Sequence, residues 1–334
     1  MNSPAVFHFH KEITEMNVSR FAGLCLLFIA LHPFSVCAAE PLRFAYQNRV
    51  GDAVSLIAIE KGFFAAEGIQ VKGVLFNNGP ACAEALYTGA VDVATMGDTT
   101  ALISVSKDPS VRILASHGAG EHRHRIIVAT ASPLRTLADL KGKRVGVKKG
   151  TSTHGGFLAL LAANGLHSTD MKLLDLSPDL LPEALSAGSI DAFVASEPTP
   201  SVAETRGGRE LATLGGLGND YPLLVVAKSA VLQKRETELV AFFRALRRAE
   251  QFIRKNPAET AAILGKVDRI SIDTARKAMV RHSYLLRLDG KVVKSLEQTA
   301  AFLYGQHKIP QLPDLKSVIS TRILLLSLPP HSKK

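Results

Sequence analysis

The feature that most limits the fold is a rhythm. Apolar runs of strand length are followed by helical stretches that end on glycine, and the alternation is played through twice. In the first round, Leu42 to Tyr46 reads as a strand and Gln47-Asn48-Arg49-Val50-Gly51 as its loop. Ala53 to Phe64 reads as a helix capped by Asp52 and stopped by Gly68. Ile69 to Phe76 is a second strand, Pro80 to Thr88 a helix closed by Gly89, and Val91 to Met96 a third strand. Gly97-Asp98-Thr99-Thr100 then opens a helix through Val105, and Val111 to Ser116 is a fourth strand. Successive strand–helix units of this kind predict a parallel sheet with helices on both faces and right-handed crossovers. Ligands on such sheets sit beyond the carboxyl ends of the strands, here Gln47-Asn48, Asn77-Asn78-Gly79 and Gly97-Asp98-Thr99.

The second round follows a break. Ile126 to Thr130 is strand-like, and Ser132-Pro133 then interrupts the pattern, which puts a crossing between lobes there. Leu140 to Gly156 reads LKGKRVGVKKGTSTHGG: a strand at Arg144 to Val147, a break at Gly150, and the hydroxyls Thr151, Ser152 and Thr153 at the start of an apolar helix. Such a helix start has free N–H groups and the positive end of the helix dipole, the ingredients of an anion site. A capped helix start with no ligand is the plainer reading of the same residues. Met171 to Leu176, Ile190 to Ala195 and an edge strand at Leu211 to Leu214 complete this round, with Pro182 to Ala187 as a helix. Leu223 to Ala227 is expected to carry the chain back, and the remainder is helical, led by Glu236 to Lys255. The expectation is an α/β protein of two doubly wound Rossmann-like lobes joined by a two-strand hinge. Residues 40–130 and 225–334 form one lobe, and residues 131–224 the other. A solute held by both halves stabilises the closed state.

The head of the chain is of another kind. Arg20 precedes the apolar run Phe21 to Leu31, then Pro33 and the small-residue end Val36-Cys37-Ala38-Ala39. That order is that of a secretory signal over residues 1–39, with Met1 or Met16 as its start, and it points to the periplasm. The run is too short to span a bilayer, which takes roughly 20 residues. Cys37 as a lipid anchor is disfavoured by Phe34 and Val36. Removing the segment takes away Cys25 and Cys37, so Cys82, expected in the core, has no intrachain disulfide partner. The formal net charge is +10 and survives the removal, because Lys11 and Arg20 balance Glu12 and Glu15. With no arginine-rich block and no nucleic-acid motif, this charge suits an anionic small molecule or membrane surface better than nucleic acid.

Five stretches then carry a resemblance: AIEKGFFAAEGIQV (58–71), ALYTGAVDVATMGD (85–98), LADLKGKRVGVKKGTSTH (137–154), EALSAGSIDAFVASEP (183–198) and the strand at Leu223. In that order they resemble the periplasmic solute-binding proteins of ABC importers, in the branch that binds aliphatic sulfonates, taurine, nitrate and thiamine-pyrimidine precursors. The resemblance implies a type II two-domain binding fold, a monomer without cofactor or catalysis, and delivery of a solute to the transmembrane subunits of a permease. It implies ligand contacts at Gln47, Asn48, Gly97, Asp98, Thr99, Thr151, Ser152, Thr153, His154 and Glu197. Many relatives carry aromatics beside the proline, where this chain has Ser196-Glu197-Pro198-Thr199.

Two carboxylates near a cleft, Asp98 and Glu197, fit a solute with a positive or hydrogen-donating group. The alternative is that Asp98 caps its helix and Glu197 binds backbone. His154 is either a donor to an oxyanion or a partly exposed first-turn residue. Glu121-His122-Arg123-His124-Arg125 reads as a solvated basic loop, since flanking arginines suit a metal ion badly. Gly215-Gly216-Leu217-Gly218 lacks the Lys-Ser/Thr of a phosphate loop. The competing reading is an enzyme on the same scaffold, related to thiamine-pyrimidine synthases. Those use a cysteine-rich motif and a reactive histidine, and no nucleophile–base pair stands out here.

Overall fold

The computed structural model describes residues 40–329; the expected signal segment and residues 330–334 lie outside them. Two five-stranded sheets are present, each flanked by helices. The first runs β2-β1-β3-β10-β4, from Val71–Phe76, Leu42–Gln47, Val93–Gly97, Leu223–Lys228 and Val111–Gly118. The second runs β7-β6-β8-β5-β9, from Lys172–Asp175, Arg144–Val147, Ala192–Ser196, His124–Ala129 and Gly208–Thr213. In each sheet the three strands of the βαβ units are parallel, and one strand enters antiparallel: β10 beside β3 and β4, β5 beside β8 and β9.

Those two antiparallel strands mark where the chain changes sheets. β5 belongs to the second sheet, so the first crossing lies between Gly118 and His124, ahead of the Ser132-Pro133 break expected to hold it. The reason is burial. Ile126, Ile127 and Val128 are wholly buried because β5 is an interior strand, covered on both edges. Ser132-Pro133 comes later, where Thr130 N–H donates to Gly207 O and the chain turns within the second lobe.

Both lobes bury apolar residues on either side of their sheet. The long helix Glu236–Lys255 shows how. Leu239, Phe242, Phe243 and Leu246 recur at helical spacing and are fully buried, while Arg244 and Arg248 point away and pair with Glu67. Phe242 stacks on Phe64 and meets Phe44 edge-on, each at 4.9 Å between ring centres. Each such ring buried contributes about 2 kcal/mol. The tail closes this lobe: Ile323 and Leu324 of the short helix Arg322–Leu326 pack into the same core.

Candidate functional site

The carboxyl ends of both sheets' parallel strands meet around a cavity of about 250 Å³. The first lobe supplies Asn48 and Arg49 after β1, Asn77 and Asn78 after β2, and Asp268 at the end of the helix Pro257–Asp268. The second lobe supplies Lys148, Thr151 and Thr153 after β6, and Ser196 and Glu197 after β8. Leu181, Pro182, Val202 and Ile270 give one apolar wall. The lobes touch across the mouth, where Asn77 Nδ2 donates to Ser177 Oγ at 3.1 Å. Deeper in, Thr100 Oγ1 donates to Gly150 O at 2.8 Å.

Of the residues expected at the ligand, Asn48, Thr151, Thr153 and Glu197 border this cavity. Thr151 also caps the helix Ser152–Ala163 by accepting from His154 N–H. Gln47 stands behind the wall, its amide donating to Asp52 Oδ2 at 3.1 Å. Asp52 makes no side-chain cap, contrary to expectation. Its carboxylate instead accepts from Gln47 N–H, Thr95 Oγ1 and Ser55 Oγ, with His117 Nε2 at 3.3 Å, and so ties the β1 loop to the sheet.

Gly97, Thr99 and Ser152 serve contact between the lobes. A Cβ on Gly97 would stand 2.0 Å from Ser152 Oγ, and one on Gly155 would stand 2.5 Å from Thr99 Oγ1. The starts of the helices Asp98–Lys107 and Ser152–Ala163 thus abut each other rather than line the larger cavity. Asp98 and Thr99 border a second, smaller cavity of about 210 Å³ with Tyr221 and Thr299. His154 is half-buried, and its Nδ1 faces Gly150 N–H at 3.4 Å. Burial, helped by Lys308 and Lys149, lowers its pKa to about 4, so the ring is neutral near pH 7.

Both carboxylates singled out as partners for a ligand cation already have protein partners. Asp98 is almost fully buried; Oδ1 accepts from Thr99 N–H at 2.7 Å, and Oδ2 from Thr299 Oγ1 at 2.7 Å and Asn219 Nδ2 at 3.3 Å. Glu197 is fully buried; Oε1 accepts from Arg125 at 2.8 Å, and Oε2 from Ser201 N–H at 3.3 Å.

The basic run Glu121 to Arg125 corrects its sequence reading. Arg123 and His124 are 0% exposed and Arg125 is 2% exposed, so this is no solvated loop. The segment crosses between sheets and becomes the interior strand β5, which forces its side chains inward. Arg125 is neutralised by Glu197, Glu204 and Glu210. Among the described residues Arg123 reaches only neutral acceptors, Ser196 Oγ at 2.8 Å and Tyr221 O at 2.7 Å, and burial pushes its pKa down to about 9. His124 Nδ1 lies 2.8 Å from Thr153 Oγ1. Arg123 and His124 therefore fix two hydroxyls on the cavity wall, Ser196 and Thr153, from behind.

Arg49 is the residue the sequence reading passed over. It lies on the cavity wall, its Nε is cut off from solvent without an acceptor, and no ion pair is formed by its guanidinium among the described residues. Its signal was available: a cation directly after Gln47-Asn48, at the carboxyl end of the first strand.

Two mixed sheets, exchanged through β5 and β10 and closing on a polar cleft, define the two-lobed periplasmic binding protein fold. Within it, the chain belongs to the NMT1/THI5-like family, which it matches over residues 53–260. It is similar to the alkanesulfonate-binding protein SsuA of Xanthomonas axonopodis pv. citri, solved bound to MOPS. The TM-score is 0.78 at 26% identity, covering 85% of this chain and 100% of that one. An Escherichia coli K12 protein named for aliphatic sulfonate binding is 25% identical over 313 residues, 91% of this chain and 96% of its own. The taurine-binding periplasmic protein of the same organism is 23% identical over 296 residues, 84% of this chain and 91% of its own.

Proposed function

We propose that this chain is an extracytoplasmic solute-binding protein whose cleft captures a small organic sulfonate and passes it to the transmembrane subunits of an ABC importer. The observation that carries this reading is the charge at the cleft. Among the described residues, Arg49 lies on the cavity wall without an ion-pair partner, and Arg123, behind Ser196, has only neutral acceptors. A cation withdrawn from solvent without counter-charge is costly, and an anion beside Arg49 offsets that cost. Asn48 and Ser196 add donors suited to sulfonate oxygens, and Leu181, Pro182, Val202 and Ile270 suit the carbon part. A water occupies about 30 Å³ of liquid, so the cavity has room beyond a bare oxyanion such as nitrate.

On this reading the chain catalyses nothing. Cys82 is fully buried and its thiol is held protonated by that burial, which removes it as a nucleophile. Export through residues 1–39 follows, and sequencing of the secreted chain should find a new N-terminus after Ala38 or Ala39. Retention of Met1 or Met16 would count against export.

Calorimetry with short alkanesulfonates, nitrate and a pyrimidine precursor tests the solute. Sulfonates should bind with Kd near roughly 1 μM, about −8 kcal/mol, and tighter than nitrate. The proposal fails if no sulfonate binds, or if nitrate or the pyrimidine binds more tightly.

A further inference from the structure

The cavity has a second pole. Asp268 is the last residue of the helix Pro257–Asp268, and the chain reverses directly after it through Arg269 at φ 55, with Ile270 N–H returning to Gly265 O. The reversal places Asp268, Arg269 and Ile270 together on the cavity wall. Both carboxylate oxygens of Asp268 are cut off from solvent, and neither has a hydrogen-bond donor. Nor is the nearby Arg49 its partner, since the two form no ion pair although they border the same cavity.

This placement is costly in two independent ways. A buried carboxylate without donors loses its hydration and gains nothing in return. A carboxylate at the carboxyl end of a helix also faces the negative end of the dipole, where a cation is favoured. Asp98 and Glu197, by contrast, are satisfied by protein donors. Among the described residues, Asp268 is the carboxylate on this cavity whose oxygens are shut off from solvent without a donor; Asp179, also on the wall, is exposed.

We infer that Asp268 accepts a cationic or N–H-bearing group of the solute, so that the cleft selects an amino-sulfonate zwitterion over a simple alkanesulfonate. The inference rests on the sulfonate reading above and sharpens its substrate class: Arg49 takes the anionic end and Asp268 the cationic end. Burial, reinforced by Asp52, raises the Asp268 carboxyl to about 7 against the opposing pull of Arg49. The half-buried Tyr284 phenol, which donates to Val50 O, is the other titratable group facing it, and Arg269 lies on its own turn. A bound ammonium should therefore pull protons off Asp268 near pH 7.

The test is calorimetry of taurine against propane-1-sulfonate, a match in size without the charge, on the wild type and on Asp268→Asn. The wild type should prefer taurine by at least about ten-fold, as a charge-assisted hydrogen bond provides. Asp268→Asn should lose that preference while holding propane-1-sulfonate within about three-fold of wild type. Taurine binding to the wild type at pH 7 should also release protons, read from enthalpies in buffers of different ionisation heat, and the variant should release none. A wild type that prefers propane-1-sulfonate, or a taurine preference that persists in the variant, overturns the inference while leaving the sulfonate reading standing. Failure of both sulfonates to bind overturns both.

Discussion

The two lobes repeat one clamp almost atom for atom. In the first, Arg43 at the start of β1 grips Asp92 at 2.6 Å and donates to Gly89 O, where Gly89 ends a helix at φ 72. In the second, Arg144 at the start of β6 grips Asp191 at 2.7 Å and donates to Gly188 O, with Gly188 at φ 68. Away from the cleft the plan is shared; at the cleft it is not. After β1 comes Arg49 with no ion-pair partner, whereas after β6 comes Lys148, already paired with Asp175 at 3.1 Å. The scaffold is duplicated and the site is not. Among the described residues, the first lobe brings the two charged groups on the cavity that lack a protein partner at a buried atom, Arg49 and Asp268, and the second brings hydroxyls and most of the apolar wall.

The largest effect that bears on this contrast comes from acid. Four histidines are withdrawn from solvent: His117 and His124 fully, His282 and His154 in part. Burial lowers all four, to about 4 for His154 and about 3 for His282. The folded pKa lies below the unfolded value near 6.5, so below pH 6.5 the unfolded chain binds more protons. Stability present above pH 6.5 is therefore lost as pH falls, for His154 down to about 4 and for His282 down to about 3. Asp268, raised to about 7, acts with the opposite sign and gains stability as pH falls from about 7 toward its ordinary value. The unfolding free energy should drop by several kcal/mol between pH 7 and 4, and more steeply in Asp268→Asn. A flat profile by denaturant titration would show these sites to be wet.

Next is the direct break of the asymmetry. Arg49→Gln should weaken sulfonate binding by about 100-fold, the loss of charge-assisted contacts, while Lys148→Gln should cost less than about five-fold because its charge is already spent on Asp175. Equal losses in calorimetry would mean that both lobes hold the anion.

The clamps differ in a smaller way. Asp92 is the more buried, at 11% side-chain exposure against 32% for Asp191, and Arg235 reaches it at 3.4 Å as a second cation. Asp92→Ala should therefore cost about 2 kcal/mol of stability and Asp191→Ala about 1 kcal/mol. A reversed order in urea titrations would show that the second lobe unfolds first and sets the measured midpoint.

What could be read from the sequence follows the range of the forces involved. The strand–helix rhythm, the glycine stops and the family likeness depend on neighbours within about a turn or on period, and they led to two lobes and a cleft. The place of β5 was missed because Ser132-Pro133 is the stronger local breaker, while the actual crossing at residues 119–123 is marked only by Gly118 and Gly120. The basic run was misjudged for a related reason. Whether Arg125 is solvated depends on Glu197, Glu204 and Glu210, which lie 72 to 85 positions away. Arg49 sat inside the loop already marked as a ligand site, and its burial without a partner is visible only in three dimensions.

The smallest effect concerns how the two halves close. Among the hydrogen bonds between the lobes, two lie at different depths of the cleft: Asn77 to Ser177 at the exposed mouth, and Thr100 to Gly150 O further in. Water competes for the first and much less for the second. Asn77→Ala should therefore raise the solute's dissociation rate by about two-fold, and Thr100→Val by about five- to ten-fold, the ordinary range for one neutral hydrogen bond. Association should change little in either, because neither residue carries charge to steer an anion. Stopped-flow displacement measures both rates. If Asn77→Ala proves the larger, the mouth and not the helix seam is the latch. The second lobe's part in retention would then rest on its Ser177 loop rather than on the helix that follows Gly150.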